Sequence, residues 1–245
     1  MSLVTSIAEN LETVNGRIHR AAQMVGRHPD QVSLIVVTKS HPIEIVQAAI
    51  EAGATQLGEN YVEEALPKIA KFPVGEYLSW HMIGHIQSRK AKPVSGNFSW
   101  VHTVDSLKLA RRLDQFAREF ERQIPVLLEC NVSGEETKAG WIAWNELEWH
   151  ALAQEISPLL EMENLIPHGL MTMAPFFDQP EKARPYFRRL RKLRDFLANE
   201  FPQHDWKELS MGMSGDFEVA VQEGATMVRI GTAILGERQK REDKL

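Results

Sequence analysis

The chain has 245 residues, of which 43% are hydrophobic and 25% charged, and its formal net charge is −5 at pH 7. That composition belongs to a folded globular protein, and it supplies no global basic field to draw in nucleic acid or an anionic membrane. The single cysteine, Cys130, excludes an intramolecular disulfide and a cysteine-cluster metal site. No apolar stretch approaches the length of a transmembrane helix, and Met1–Asn15 lacks the basic start of a signal peptide, so a cytoplasmic protein is expected.

Leu3, Ile7, Leu11, Val14, Ile18, Ala22 and Val25 share one helical face and predict an N-terminal helix that Gly26 and Pro29 end. The β-branched run Leu34–Val37 reads as a strand buried on both faces. A helix from Pro42 to Ala52, closed by Gly53, precedes a short strand Thr55–Leu57 and a helix that opens at Asn60. Strand Tyr77–Ile83 leads to a helix from Ile86. Strand Phe98–Thr103 leads to a helix that Asp105 or Ser106 caps and that runs to Arg122. Pro125–Asn131 is a strongly apolar strand, Trp144–Ile156 a helix, Leu165–Met171 a strand and Pro180–Glu200 a long helix. Strand Trp206–Leu209, helix Ser214–Glu223 and strand Met227–Ile230 complete the pattern, and the charged tail Glu237–Leu245 is predicted to fray.

Strands and helices alternate through eight such units, which predicts parallel βαβ pairing and an α/β fold closed as a single (β/α)8 TIM barrel with an extra N-terminal helix. No linker or composition shift interrupts the run, so residues 1–245 are read as one domain. In such a barrel the functional groups sit at the C-terminal ends of the strands.

Lys39 stands at the end of the first strand, where it points into the barrel mouth. Burial there disfavours the ammonium and favours a nucleophilic amine of the kind that condenses with carbonyl compounds. After the seventh strand comes Ser210-Met211-Gly212-Met213-Ser214-Gly215-Asp216, and after the eighth Arg229-Ile230-Gly231-Thr232. Glycines let backbone amides approach an anion, hydroxyls add donors, and the loops after strands seven and eight are the usual phosphate site of the fold. A carbonyl-reactive lysine facing a phosphate site predicts a phosphorylated aldehyde. The residues alone leave open whether this is pyridoxal 5′-phosphate (PLP) or a sugar phosphate of an aldolase.

Six segments occur in order: Val36-Val37-Thr38-Lys39-Ser40-His41-Pro42, Leu57-Gly58-Glu59-Asn60-Tyr61-Val62, Trp80-His81-Met82-Ile83-Gly84-His85-Ile86-Gln87, Gly169-Leu170-Met171, Leu209-Ser210-Met211-Gly212-Met213-Ser214 and Val228-Arg229-Ile230-Gly231-Thr232-Ala233-Ile234. In these the chain resembles the pyridoxal phosphate homeostasis (YggS/PROSC) family and, more distantly, the barrel domain of fold-type III PLP enzymes such as alanine racemase. The resemblance implies that Lys39 holds PLP as an internal aldimine. It implies that Ser210, Ser214, Gly231 and Thr232 bind the phosphate and that Arg229 lies near the pyridine nitrogen. Asn60 and His81 match polar positions near the ring, and Met213 is expected against the cofactor. One departure is visible: the family's Gln-Ser-Asn-Lys stretch reads Gln87-Ser88-Arg89-Lys90 here.

The racemases draw their opposing base, a tyrosine, from a second domain, and this sequence stops soon after Thr232. Of Tyr61, Tyr77 and Tyr186 only Tyr61 sits near a strand end. Racemisation needs proton delivery on both faces of the carbanion. The expectation is therefore a monomeric PLP carrier that limits free aldehyde and passes PLP to apo-enzymes, with no catalytic residues of its own; the alternative is a weak PLP-dependent racemase. No metal site is expected, because His81 and His85 flank Met-Ile-Gly rather than the glutamate-bearing helix of a zincin. Lys138 is a candidate second PLP site. The basic run Arg184–Arg194 reads as a solvated face, Trp141, Trp144 and Trp149 as outer packing, and Cys130 as a small buried hydrophobe.

Overall fold

The computed structural model describes residues 2–75 and 77–237. Helix α1 (Leu3–Gln23) starts at Ser2, whose hydroxyl accepts the Thr5 amide, and it buries Ile7, Leu11, Val14, Ile18, Ala21 and Ala22. Leu3 and Val25, counted on the same face, lie at or beyond its ends and are exposed. Eight βα units follow in the predicted order. They begin with β1 (Ser33–Val37), α2 (Ile43–Glu51), β2 (Gln56–Glu59), α3 (Val62–Lys71), β3 (Ser79–Met82) and α4 (Ala91–Asn97). The chain continues through β4 (Trp100–Val104), α5 (Leu107–Glu119), β5 (Ile124–Asn131), a two-residue β6 (Trp141–Ile142) and α6 (Trp149–Leu160). It closes with β7 (Leu165–Met171), α7 (Arg184–Glu200), β8 (Glu208–Ser210), α8 (Phe217–Gln222), β9 (Met227–Ile230) and α9 (Thr232–Leu235).

The strands pair in parallel in the order β1-β2-β3-β4-β5-β7-β8-β9, and β9 returns to β1 with Leu34 opposite Val228 and Val36 opposite Ile230. The barrel is closed, so no strand edge of the ring is left unpaired. Outward-facing strand residues such as Val36, Leu57, Trp80, Val101, Leu128 and Leu170 pack on the apolar faces of the surrounding helices. The barrel interior holds a small apolar plug of Ile35, Leu127, Met171 and Met227, with Trp100 against it. Around that plug the interior is polar, and this sets the character of the site above it.

Differences from the sequence reading have local causes. Strand β6 was not predicted; it pairs with the end of β5, Trp141 opposite Cys130. The helix expected from Trp144 begins at Trp149, because Asn145 Oδ1 accepts the Leu147 amide and caps a separate turn over Glu146–Glu148. It then runs through Pro158 to Leu160, and the Gln154 carbonyl that Pro158 cannot reach is taken by the Ser157 hydroxyl at 3.0 Å. Ser106 caps α5 as read. Among the described residues no helix is long and apolar enough to cross a membrane. Nearly all of the charged tail lies outside the described residues.

Candidate functional site

The top of β1 is held from below. Thr38 Oγ1 donates to Glu59 Oε1 (2.7 Å), and Lys68 Nζ donates to the same oxygen (2.7 Å) and to the Thr38 carbonyl (2.8 Å). Burial pushes the Glu59 carboxyl up, while the Lys68 charge and hydrogen bond oppose it. On the other side Ser40 adopts a left-handed conformation (φ 60°) and its amide donates to Glu64 Oε2 at 3.0 Å. Lys39 lies between these two fixed neighbours, in the turn that leaves β1.

Lys39 lines a cavity of about 260 Å3. Asn60 and Ile83 supply one side, from the ends of β2 and β3, and the segment Met173–Phe177 after β7 supplies an apolar lip. Opposite stand Met213, Ser214, Gly215 and Asp216 after β8, and Arg229, Gly231 and Thr232 from the end of β9. Two glycines shape these walls. Gly212 has φ 94°, and a Cβ there would lie 2.6 Å from the Ala220 Cβ, so only glycine lets the loop settle on α8. A Cβ on Gly84 would lie 2.3 Å from the Asn60 carbonyl oxygen, so the β3 turn can press against the backbone that carries Asn60 only without a side chain. Asp216 Oδ1 accepts the Met213 amide at 2.7 Å and pins the loop; burial raises this carboxyl, and that hydrogen bond and the Arg229 charge counter the rise.

Two predicted residues do not reach the cavity wall. His81 and Ser210 are buried inside the barrel, in a row that ends at Arg229. Arg229 can only donate. Its guanidinium donates to Ser210 Oγ (2.5 Å) and to the Thr172 carbonyl (2.9 Å). The Ser210 hydroxyl then donates to His102 Nδ1 (2.9 Å), His102 Nε2 to His81 Nδ1 (2.9 Å), and His81 Nε2 to Gln56 Oε1 (2.6 Å). This assignment of protons satisfies every atom in the row with both imidazoles neutral. Burial lowers the His81 imidazole to about 3 and drives His102 well below its usual range, with His81 and Arg229 adding to the latter. Burial also lowers Arg229 to about 10, against the opposing charges of Glu129 and Asp216, so it stays cationic at neutral pH. The inward-pointing face of a strand lies below the rim unless the residue is at the very end, which is why His81 and Ser210 orient Arg229 rather than line the mouth.

Asn60, Ile83 and Met173 also border a second cavity of about 200 Å3, whose far side is formed by Glu129, Asn131, Thr103, His85 and Lys138. Lys138 Nζ is engaged by Glu135 (2.7 Å) and the Met173 carbonyl (3.0 Å). His85 is largely exposed and faces Asp105 at 3.1 Å, so it and His81 point to different surroundings. The sequence reading missed His102 and Glu129; a lone carboxylate within the apolar strand Ile124–Asn131 was the available signal for the latter. The basic run also needs correction. Arg184, Arg188 and Arg191 converge on the buried carboxylate of Glu223 at 3.0, 3.1 and 3.3 Å, while Arg189 donates to the Val132 carbonyl. Trp141 and Trp149 are buried, with their indole N–H groups on the Val104 and Ala143 carbonyls, whereas Trp144 is half-exposed. Cys130 is buried as expected.

Residues 10–239 match the alanine racemase N-terminal domain family. The chain is 40% identical to the pyridoxal phosphate homeostasis protein of Vibrio alginolyticus, over 96% of this chain and 99% of that one. The chain belongs to the pyridoxal phosphate homeostasis protein family. A second member, from Pseudomonas aeruginosa, is 42% identical over 96% of this chain and 97% of its own. PipY of Synechococcus elongatus, solved with PLP bound, superposes with a TM-score of 0.80 at 35% identity, covering 94% of this chain and all (100%) of PipY. Alanine racemase of Clostridium difficile shares the fold at a TM-score of 0.69 and 16% identity; this chain spans 58% of it. In this homeostasis family the chain keeps the (β/α)8 barrel that the racemases also use.

Proposed function

We propose that this protein binds PLP with Lys39 as covalent anchor and serves as a cytoplasmic reservoir that limits free PLP and hands it to apo-enzymes, without substantial catalytic turnover. The observation that carries the reading is the sharing of one cavity by Lys39, the Ser214 and Gly231-Thr232 loops, and a buried guanidinium. The donor set fits the group. Ser214, Gly231 and Thr232 offer hydroxyl and backbone donors to a phosphate, and Asn60 Oδ1 is a buried acceptor with no partner in the protein. When bound, PLP supplies an electrophilic aldehyde carbon and an electron-withdrawing ring. Arg229, held cationic and oriented through Ser210, would keep the ring nitrogen unprotonated and so weaken that withdrawal. Met213 and the Met173–Phe177 lip cover apolar surface. None of the three tyrosines lines the cavity, which leaves the racemase reading without the opposing base it needs.

Borohydride treatment of the purified protein followed by peptide mapping tests the anchor. A pyridoxyl group fixed on Lys39, absent in Lys39→Ala, is expected; a colourless protein, or an adduct on Lys138 alone, overturns the assignment. Deuterium incorporation at Cα of amino acids at about 1 s⁻¹ or faster would reinstate an enzyme. We further propose a monomer in which residues 1–245 fold as one unit, checked by a sedimentation mass near 27.9 kDa and a single unfolding transition.

A further inference from the structure

The cavity beside the Lys39 pocket has charges whose partners are known, with one exception. Lys138 is paired with Glu135, and His85 with Asp105. Asn131 spends its side chain on its own loop, with Oδ1 accepting the Ser133 and Gly134 amides and Nδ2 donating to the Glu135 carbonyl. Thr103 Oγ1 donates to the Gly84 carbonyl. Glu129 differs: it is 5% exposed, forms part of this wall, and its Oε2 is buried with no hydrogen-bond partner. A buried carboxyl oxygen without a donor is costly, and a cavity in contact with it is where a donor would be supplied.

We propose that this second cavity is a binding site for a small primary amine, held as its ammonium by the Glu129 carboxylate. The volume, about 200 Å3, admits a short aminoalkane. The ligand class is cationic because the unmatched group is an acceptor, and it is an amine rather than an α-amino acid because Lys138 is already engaged and leaves no cation for a second carboxylate. Asn60, Ile83 and Met173 are common to both cavities, so an amine bound here lies next to the Lys39 pocket. The inference deepens the carrier reading and rests on it for its purpose: such an amine is positioned to meet the aldehyde carbon anchored at Lys39. The site itself rests on Glu129 and the cavity alone.

The affinity depends on pH. Burial, with Asp105 adding to it, pushes the Glu129 carboxyl up to about 7, against the charges of Arg229 on β9 and His85 after β3. Lys138, from the loop after β5, shares the cavity. The carboxylate form therefore grows between pH 6 and 8, and ammonium binding strengthens with it.

Amide NMR of the as-purified, PLP-loaded chain titrated with ethylamine, with PLP absorbance followed in parallel, tests the site. Saturable shifts confined to Gly84, Glu129, Asn131 and Lys138 are expected, with affinity rising at least fivefold from pH 6 to 8 and glycine binding more weakly. Glu129→Gln is expected to lose at least tenfold in affinity and all of the pH dependence, whereas His85→Gln keeps both. Unfolding midpoints report whether each variant is folded, and Glu129→Asp, which only withdraws the carboxylate, is expected to bind more weakly but with the pH dependence retained. No saturable shift, or unchanged affinity in folded Glu129→Gln, overturns the proposal. A protein that carries no PLP yet still shows the shifts would sink the carrier reading and leave the amine site standing.

Discussion

A guanidinium that can only donate imposes direction on every group behind it. From Arg229 through Ser210, His102 and His81 to Gln56, each atom has one role, and the imidazoles must stay neutral. Their folded pKa values are depressed, so below the ordinary histidine range the unfolded chain binds more protons and stability falls as pH falls. Glu129 acts in the opposite sense. Its folded pKa is raised to about 7, so it takes up its proton in the folded state first and adds stability on going from pH 7 to 5, on the order of 2 kcal/mol. His81 alone loses roughly the same amount over that interval, and His102 loses in the same direction. Urea unfolding at pH 7 and 5 should therefore show a steeper acid loss in Glu129→Gln than in the wild type, by about 2 kcal/mol. Equal losses in the two proteins would mean that Glu129 titrates normally. Lys68 carries a second residue-scale prediction: Lys68→Met strands the Glu59 carboxylate beneath Lys39 and should cost about 3–5 kcal/mol, with faster loss of bound PLP. Lys39, Ser214, Gly231 and Thr232 were legible in the sequence because they follow the strands, where the barrel opens. His102 and Glu129 were not, because the sequence does not tell which inward-pointing residues of a strand find partners and which are left with a cavity.

At the scale of elements the strands were legible to within about two residues because β-branched and apolar runs mark them, while the turns that displace α6 depend on one side chain, Asn145. The basic run on α7 shows where charge patterning misleads. Read alone it is a solvated face, yet three of its arginines hold Glu223 at the end of α8. Burial would raise that carboxyl, but hydrogen bonds from Arg188 and Arg184 and the charge of Arg191 bring it below its ordinary value. Helix α8 carries the loop Met213–Asp216 on its N-terminal side, so the clamp fixes a wall of the site from behind. Glu223→Gln is expected to lower stability by about 1–2 kcal/mol, because the arginines are partly solvated. It should also speed PLP release several-fold while the borohydride adduct still maps to Lys39. An unchanged release rate would separate the clamp from the site.

For the whole molecule the informative quantity is the sign of its charge. At −5 the protein repels an anionic ligand at long range, yet the proposed ligand carries a phosphate. Its retention must then come from short-range contacts: hydroxyls and amides of the loops after β8 and β9, and the buried Arg229, which solvent ions do not reach. Screening acts on exposed charges separated by more than about 8–10 Å and weakly on buried ones. Raising sodium chloride from about 0.05 to 0.5 M should therefore leave the PLP dissociation constant within roughly threefold, and should speed association slightly by damping the repulsive field. A fluorescence titration across that range decides the matter. A tenfold loss of affinity would mean that exposed lysines and arginines hold the phosphate, and the assignment of Ser214, Gly231 and Thr232 as its cradle would have to be abandoned.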